Sequence, residues 1–183
     1  MKTFLSYALA VIGLGTIALT IVRAMGSSLS YPAARLLLTN LLRTNPNQAE
    51  QICKQTKGTF FEAIAAAMKI AAMCGGSTDP AVISGATKPG YDGAATILTV
   101  GFKTMLGKAK LGGMAVIGAM GLAISSGTMP IWLVVIIGIL GAAGGILLLV
   151  RKAELERTVI LARAEILPEV DKAFIEGRYR LPG

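Results

Sequence analysis

The sequence predicts an all-α integral membrane protein with three transmembrane helices, a small helical cytoplasmic region and a cytoplasmic tail helix. Three observations carry this. Two uncharged tracts of spanning length occupy residues 3–22 and 111–150. The mean hydropathy is +0.66, with 54% apolar and 15% charged residues, too apolar for an ordinary soluble domain. Basic residues flank the tracts without entering them. The expected division is 1–25 as the first transmembrane helix, 26–110 as a cytoplasmic helical region running into the membrane, 111–150 as a transmembrane hairpin, and 151–183 as a cytoplasmic tail helix.

The first tract holds 20 residues, about the length a helix needs to cross a hydrocarbon core at roughly 1.5 Å per residue. A cleaved signal peptide is the competing reading, since Lys2 gives a basic start. The apolar run is longer than a signal core, however, and Arg23 stands where a cleavage motif belongs. The second tract holds 40 uncharged residues, interrupted by Ser125, Ser126, Gly127, Thr128, Met129 and Pro130, a turn composition that makes it a helical hairpin. Its first arm, 111–128, is short, and borrows length from 102–106 if Lys108 and Lys110 snorkel. The second arm, 131–150, is a full span with Trp132 near its outer end.

Orientation follows from Lys and Arg: residues 26–110 hold nine, 151–183 hold seven and the hairpin turn none. The positive-inside rule then keeps the middle region and the tail in the cytoplasm and the N-terminus outside. Cys53 and Cys74 read as buried or inert thiols in that reducing compartment.

In the middle region Pro32 and Pro46 are placed to open helices, the latter with Asn45 as cap. The helix from Pro46 should end at Gly58. Thr59 and Glu62 then form a capping box that opens a helix to about Cys74, before Gly75 and Gly76. On it Phe60, Ile64, Ala67 and Ala71 make one stripe, with Phe61, Met68 and Ala72 beside it, a surface for internal packing rather than for a partner. Asp79 and Pro80 start a short helix that Lys88, Pro89 and Gly90 should break, and 91–110 should run on into the membrane. Residues 151–166 should prolong the last span, with Pro168 kinking that helix or opening a final one that Gly177 ends.

The chain has no His, no phosphate-loop motif and no nucleophile elbow, so no catalytic, cofactor or metal site is expected. The +8 charge is scattered with few aromatics nearby, unlike a nucleic-acid surface. Candidate functional residues are those for helix packing, Gly118, Gly121, Gly138, Gly141 and Gly145, with Gly112 and Ala142 beside them. Small residues let helix backbones approach where lipid gives no hydrophobic drive. Thr16, Thr20, Ser125, Ser126 and Thr128 are the polar groups that could line a narrow wet path, although each hydroxyl can equally bond its own helix. The bilayer and other copies of the chain are the expected partners.

The segment NPNQAEQICKQTKGTFFEAIAAAMK at 45–69 resembles the stretch that follows the first membrane helix in the MotA/TolQ/ExbB proton-channel family. The plan of outside N-terminus, cytoplasmic helices and closing hairpin is similar too. The resemblance implies a ring-forming scaffold of a bacterial inner membrane, built around a separate carboxylate-bearing subunit. The family's Gly-Thr-Val motif and its polar Thr in the last span have no match here, so no functional residue carries over. A non-catalytic scaffold subunit is thus the first expectation. An ion-conducting channel subunit is the second, and an exported pilin-like hairpin subunit the third if the first span is cleaved.

Overall fold

The computed structural model describes residues 2–25, 30–74 and 77–179. All regular elements among them are α-helices: α1 (Lys2–Met25), α2 (Tyr31–Thr44), α3 (Pro46–Gln55), α4 (Phe60–Ala72), α5 (Pro80–Ser126), α6 (Ile131–Glu165) and α7 (Leu167–Ile175). Three stretches are long and apolar enough to cross a membrane: Lys2–Met25, Pro80–Ser126 and Ile131–Ile175. The all-α class with three membrane-length helices is what the sequence predicts. The chain forms two compact units, an apolar one from Met1–Gly26 and Gly101–Ala153, and a polar one from Ser27–Val100 and Glu154–Gly183.

The apolar unit turns the soluble pattern inside out. Large side chains face outward: Phe4, Val11, Ile117, Ile131 and Ile139 are each more than 60% exposed. The interior mixes small side chains, Ser6, Ala10, Gly13, Thr20 and Ala24 on α1 and Gly112, Ala119 and Ala123 on α5, with a few larger ones such as Ile17, Val116 and Ile137. Such an arrangement is stable only where the surroundings are as apolar as the surface. Between α5 and α6 the chain reverses at Gly127, whose φ of 62° favours a residue without Cβ. The amide of Thr128 reaches back to the Ala123 carbonyl at 3.3 Å, a Schellman closure of α5.

The polar unit has a core of its own, in which Leu38, Leu42, Cys53, Phe60, Ile64 and Met68 meet Tyr91, Ala162, Ile166 and Val170. The α4 stripe is thereby spent on internal packing, with only Ala72 at its margin partly exposed. Asn45 caps α3, its Oδ1 accepting from the Gln48 amide at 3.2 Å. The Thr59 and Glu62 pair works one residue off the expected box. Thr59 Oγ1 accepts from Phe61 N, and the Glu62 carboxylate accepts from Gly58 N, which sits at a φ of 75°. Gly75 and Gly76 lie outside the described residues. Pro168 opens α7, which closes at Gly177 with a φ of 64°.

One expected boundary is absent. Pro89 does not break the helix; α5 runs from Pro80 through it to Ser126. The missing amide leaves the carbonyl of Gly85 without its partner, but Gly85 and Pro89 are both exposed, so water can serve it. Ile83, Thr87 and Tyr91 on either side are fully buried, and this anchorage outweighs the local preference.

Candidate functional site

Within the apolar unit each helix carries its buried residues at alternating steps of three and four. These are Ser6, Ala10, Gly13, Ile17, Thr20 and Ala24 on α1, then Ala109, Gly112, Val116, Ala119 and Ala123 on α5. On α6 the inward series is Val134, Ile137, Gly141, Gly144 and Leu148, with Gly141 only partly buried. A repeat of 3.5 residues holds a seam along one face of each helix, as in a coiled coil. Glycines stand among the larger knobs of each seam, at Gly13, Gly112, Gly141 and Gly144, and there the helices come close.

Glycine decides the contacts. A Cβ at Gly13 would stand 2.6 Å from the Gly112 carbonyl oxygen, and one at Gly112 would stand 2.9 Å from the Gly13 carbonyl oxygen. The two backbones therefore touch at that crossing. A Cβ at Gly144 would meet Ile17 Cγ2 at 2.5 Å, one at Gly141 would meet Val116 Cγ1 at 3.2 Å, and one at Gly138 would meet Met120 Cε at 2.9 Å. Of the packing candidates, Gly138 and Gly141 thus lie at contacts within the chain. Gly118, Gly121 and Gly145 face open space. Gly13 and Gly144 are packing positions that the sequence signals only through the 6, 10, 13, 17, 20, 24 spacing of mostly small residues on α1.

The hydroxyls are satisfied locally. Thr16 Oγ1 donates to the Ile12 carbonyl at 2.7 Å and Thr20 Oγ1 to the Thr16 carbonyl at 2.8 Å. Ser125 and Ser126 both donate to the Leu122 carbonyl. Thr128 Oγ1 sits 3.0 Å from Ser126 Oγ and 3.3 Å from Ser6 Oγ, forming a small cluster of hydroxyls. Side-chain bonds of this kind remove the donor that a water or ion path would use.

These contacts fix the register. Ser6 meets Thr128, Gly13 meets Gly112, and Ile17 meets Gly144. Followed along the helices, Arg23, Lys103, Lys108, Lys110, Arg151 and Lys152 come to one end of the unit. Ser126, Thr128 and Trp132 come to the other, where Lys2 is the only cationic side chain.

The ionisable groups that the apolar unit lacks are paired in the polar unit. Arg43 grips Glu169 with two bonds of 3.2 Å, and the bond to Arg43 holds the Glu169 carboxyl below its ordinary range. Arg163 donates to Asp92 at 2.6 Å, and Thr87 to Asp171 at 2.7 Å. Tyr31 and Arg35 share Glu165. Tyr179 donates to the buried Glu50, and burial, then that bond, raises the phenol. Arg178 donates to the carbonyls of Leu42 and Arg43 at the end of α2, where partial negative charge collects. Burial, helped by the Glu50 charge, pushes the Cys53 thiol up to about 12, so it is inert. Cys74 is only partly buried, its thiol donating to the Ile70 carbonyl at 3.5 Å.

A groove of about 410 Å³ in the polar unit is lined by Lys88, Arg163, Leu167, Pro168 and Asp171. Among the described residues no group of three His, Cys, Asp or Glu is arranged to hold a metal ion. No protein-family model matches this chain, and no curated protein or solved structure matches it.

Proposed function

We propose that the chain is a non-catalytic, multi-pass scaffold subunit of a larger assembly in a bacterial inner membrane. Its N-terminus lies outside and its C-terminus in the cytoplasm. The observation that carries this reading is the chemistry of the apolar unit. It holds seven Lys and Arg, no Asp, Glu, His or Cys, and interior hydroxyls bonded to their own helices. Such a unit supports structure and supplies no proton-accepting side chain of its own. Any ion relay in the assembly would use a carboxylate from a partner subunit, as the likeness of residues 45–69 to the MotA/TolQ/ExbB family suggests. The six cations at one end favour retention of that end in the cytoplasm. Gly118 and Gly145, open in the single chain, favour close approach by further copies.

The test is purification in mild detergent followed by mass measurement and reconstitution. The expected result is an assembly at a multiple of the 19.0 kDa chain mass. Vesicles containing this chain alone should pass no protons under an imposed potential. A strictly monomeric protein, or proton flux by the chain alone, would overturn the reading.

A further inference from the structure

The chain's net charge is concentrated in one unit. The apolar unit holds seven cations and no carboxylate, while the polar unit holds eleven cations against ten carboxylates. Within the basic end of the apolar unit the α5 lysines are not equivalent. Lys103 and Lys110, seven residues apart, share a helix face and stand about 10 Å apart along the axis. Lys108 is turned from Lys103 by about 140°.

Between Lys103 and Lys110 the same face carries Gly107, where a Cβ would meet nothing within 4 Å. An exposed glycine in mid-helix costs about 1 kcal/mol against alanine, and no packing within the chain calls for it. Beyond Lys110 this face continues as Met114, Ile117 and Ile124, which are 67%, 70% and 69% exposed. Gly121 lies open among them. The face is turned away from the seam of Ala109, Gly112 and Val116. Two ammonium groups thus flank bare backbone at the head of an apolar track about 15 Å long.

We propose that this face of α5 binds an anionic phospholipid, with its phosphate held by Lys103 and Lys110 over Gly107 and an acyl chain laid along Met114, Ile117 and Ile124. A free phosphate ion would use the lysines and leave the track idle. A zwitterionic lipid would bring a second cation to a unit that offers no carboxylate to receive it. The assignment rests on the apolar unit lying in a bilayer.

Full-length protein in detergent is given phosphatidylglycerol, phosphatidylcholine or inorganic phosphate, and retained ligand is read by native mass spectrometry. Phosphatidylglycerol is retained in preference to phosphatidylcholine, and millimolar phosphate does not displace it. Lys103→Gln and Lys110→Gln each weaken its binding about fivefold, and the double variant about 30-fold, the effect expected for a lysine at an anionic surface. Lys108→Gln, which removes the same charge from another face, changes it less than twofold. Equal retention of the two lipids, equal loss in Lys108→Gln, or displacement by phosphate overturns the site. Circular dichroism of the variants checks that they keep their helices. If the bilayer reading itself is wrong, the protein stays in solution once detergent is removed; if only the lipid site is wrong, it still needs detergent.

Discussion

Alanine at position 13 of α1 tests the backbone crossing that organises the apolar unit. The added Cβ would lie 2.6 Å from the Gly112 carbonyl oxygen, 2.8 Å from Val116 Cγ2 and 3.0 Å from Val116 N. Ordinary contact begins at 3.4 Å, so the first distance is 0.8 Å short. Two of the three obstacles are backbone atoms, which cannot rotate aside, and so α1 and α5 must separate. A gap of that size forfeits a quarter to a half of the dispersion energy of each atom pair along the seam, and overpacking of this kind costs about 1–3 kcal/mol. Helix propensity returns about 1 kcal/mol, leaving a net loss of up to about 2 kcal/mol. Gly15, two residues on, faces open space, so Gly15→Ala keeps the propensity gain alone. Titration of the protein in mixed micelles with a denaturing detergent, followed by circular dichroism, should place the two variants on opposite sides of wild type. Gly13→Ala at or above wild type, or Gly15→Ala falling with it, would refute the crossing.

Replacing Arg43 by Gln should destabilise the polar unit at neutral pH. The Glu169 carboxyl is held low in the folded state, so its contribution is present above the ordinary carboxylate range and is lost as pH falls through the depressed value. The gap between wild type and variant in denaturant unfolding should therefore close on acidification and persist on alkalinisation. Tyr91→Phe removes the buried hydroxyl that donates to the Val159 carbonyl at 2.7 Å, and should cost about 1 kcal/mol in the same assay with no loss of helix content. A maleimide applied to folded protein at pH 7.5 should label Cys74 and spare Cys53, and denaturation should expose both, as peptide mass mapping would report.

The three membrane-length helices were legible because an uncharged tract needs no partner to be recognised; its own composition states the solvent it requires. Asn45 before Pro46 and the Phe60 stripe were equally local signals. Pro89 misled because its effect depends on what the neighbouring turns bury, and the fully buried Ile83, Thr87 and Tyr91 are a tertiary fact. The capping pair missed by one residue because a threonine can serve either of two successive amides with little difference in energy. Gly118, Gly121 and Gly145 look equivalent to Gly138 and Gly141 in the sequence because any glycine with small residues within a turn of it fits the close-packing pattern. Telling which of them face the seam needs the phase of the whole 3.5-residue repeat, and Gly13 and Gly144 emerge only when that phase is followed from Ser6 to Ala24 and from Val134 to Leu148.

The confinement of every carboxylate to the polar unit gives the two halves different responses to acidity. Side chains of the Asp, Glu, His and Cys classes, which ordinarily exchange protons below about pH 9, are absent from Met1–Gly26 and Gly101–Ala153. Acidification into the ordinary carboxylate range, about pH 4, would make the polar unit, whose ten carboxylates nearly balance its eleven cations, progressively more cationic. The side chains of the apolar unit would keep their seven positive charges throughout, so its attraction for an anionic surface is insensitive to acidity while that of the polar unit grows.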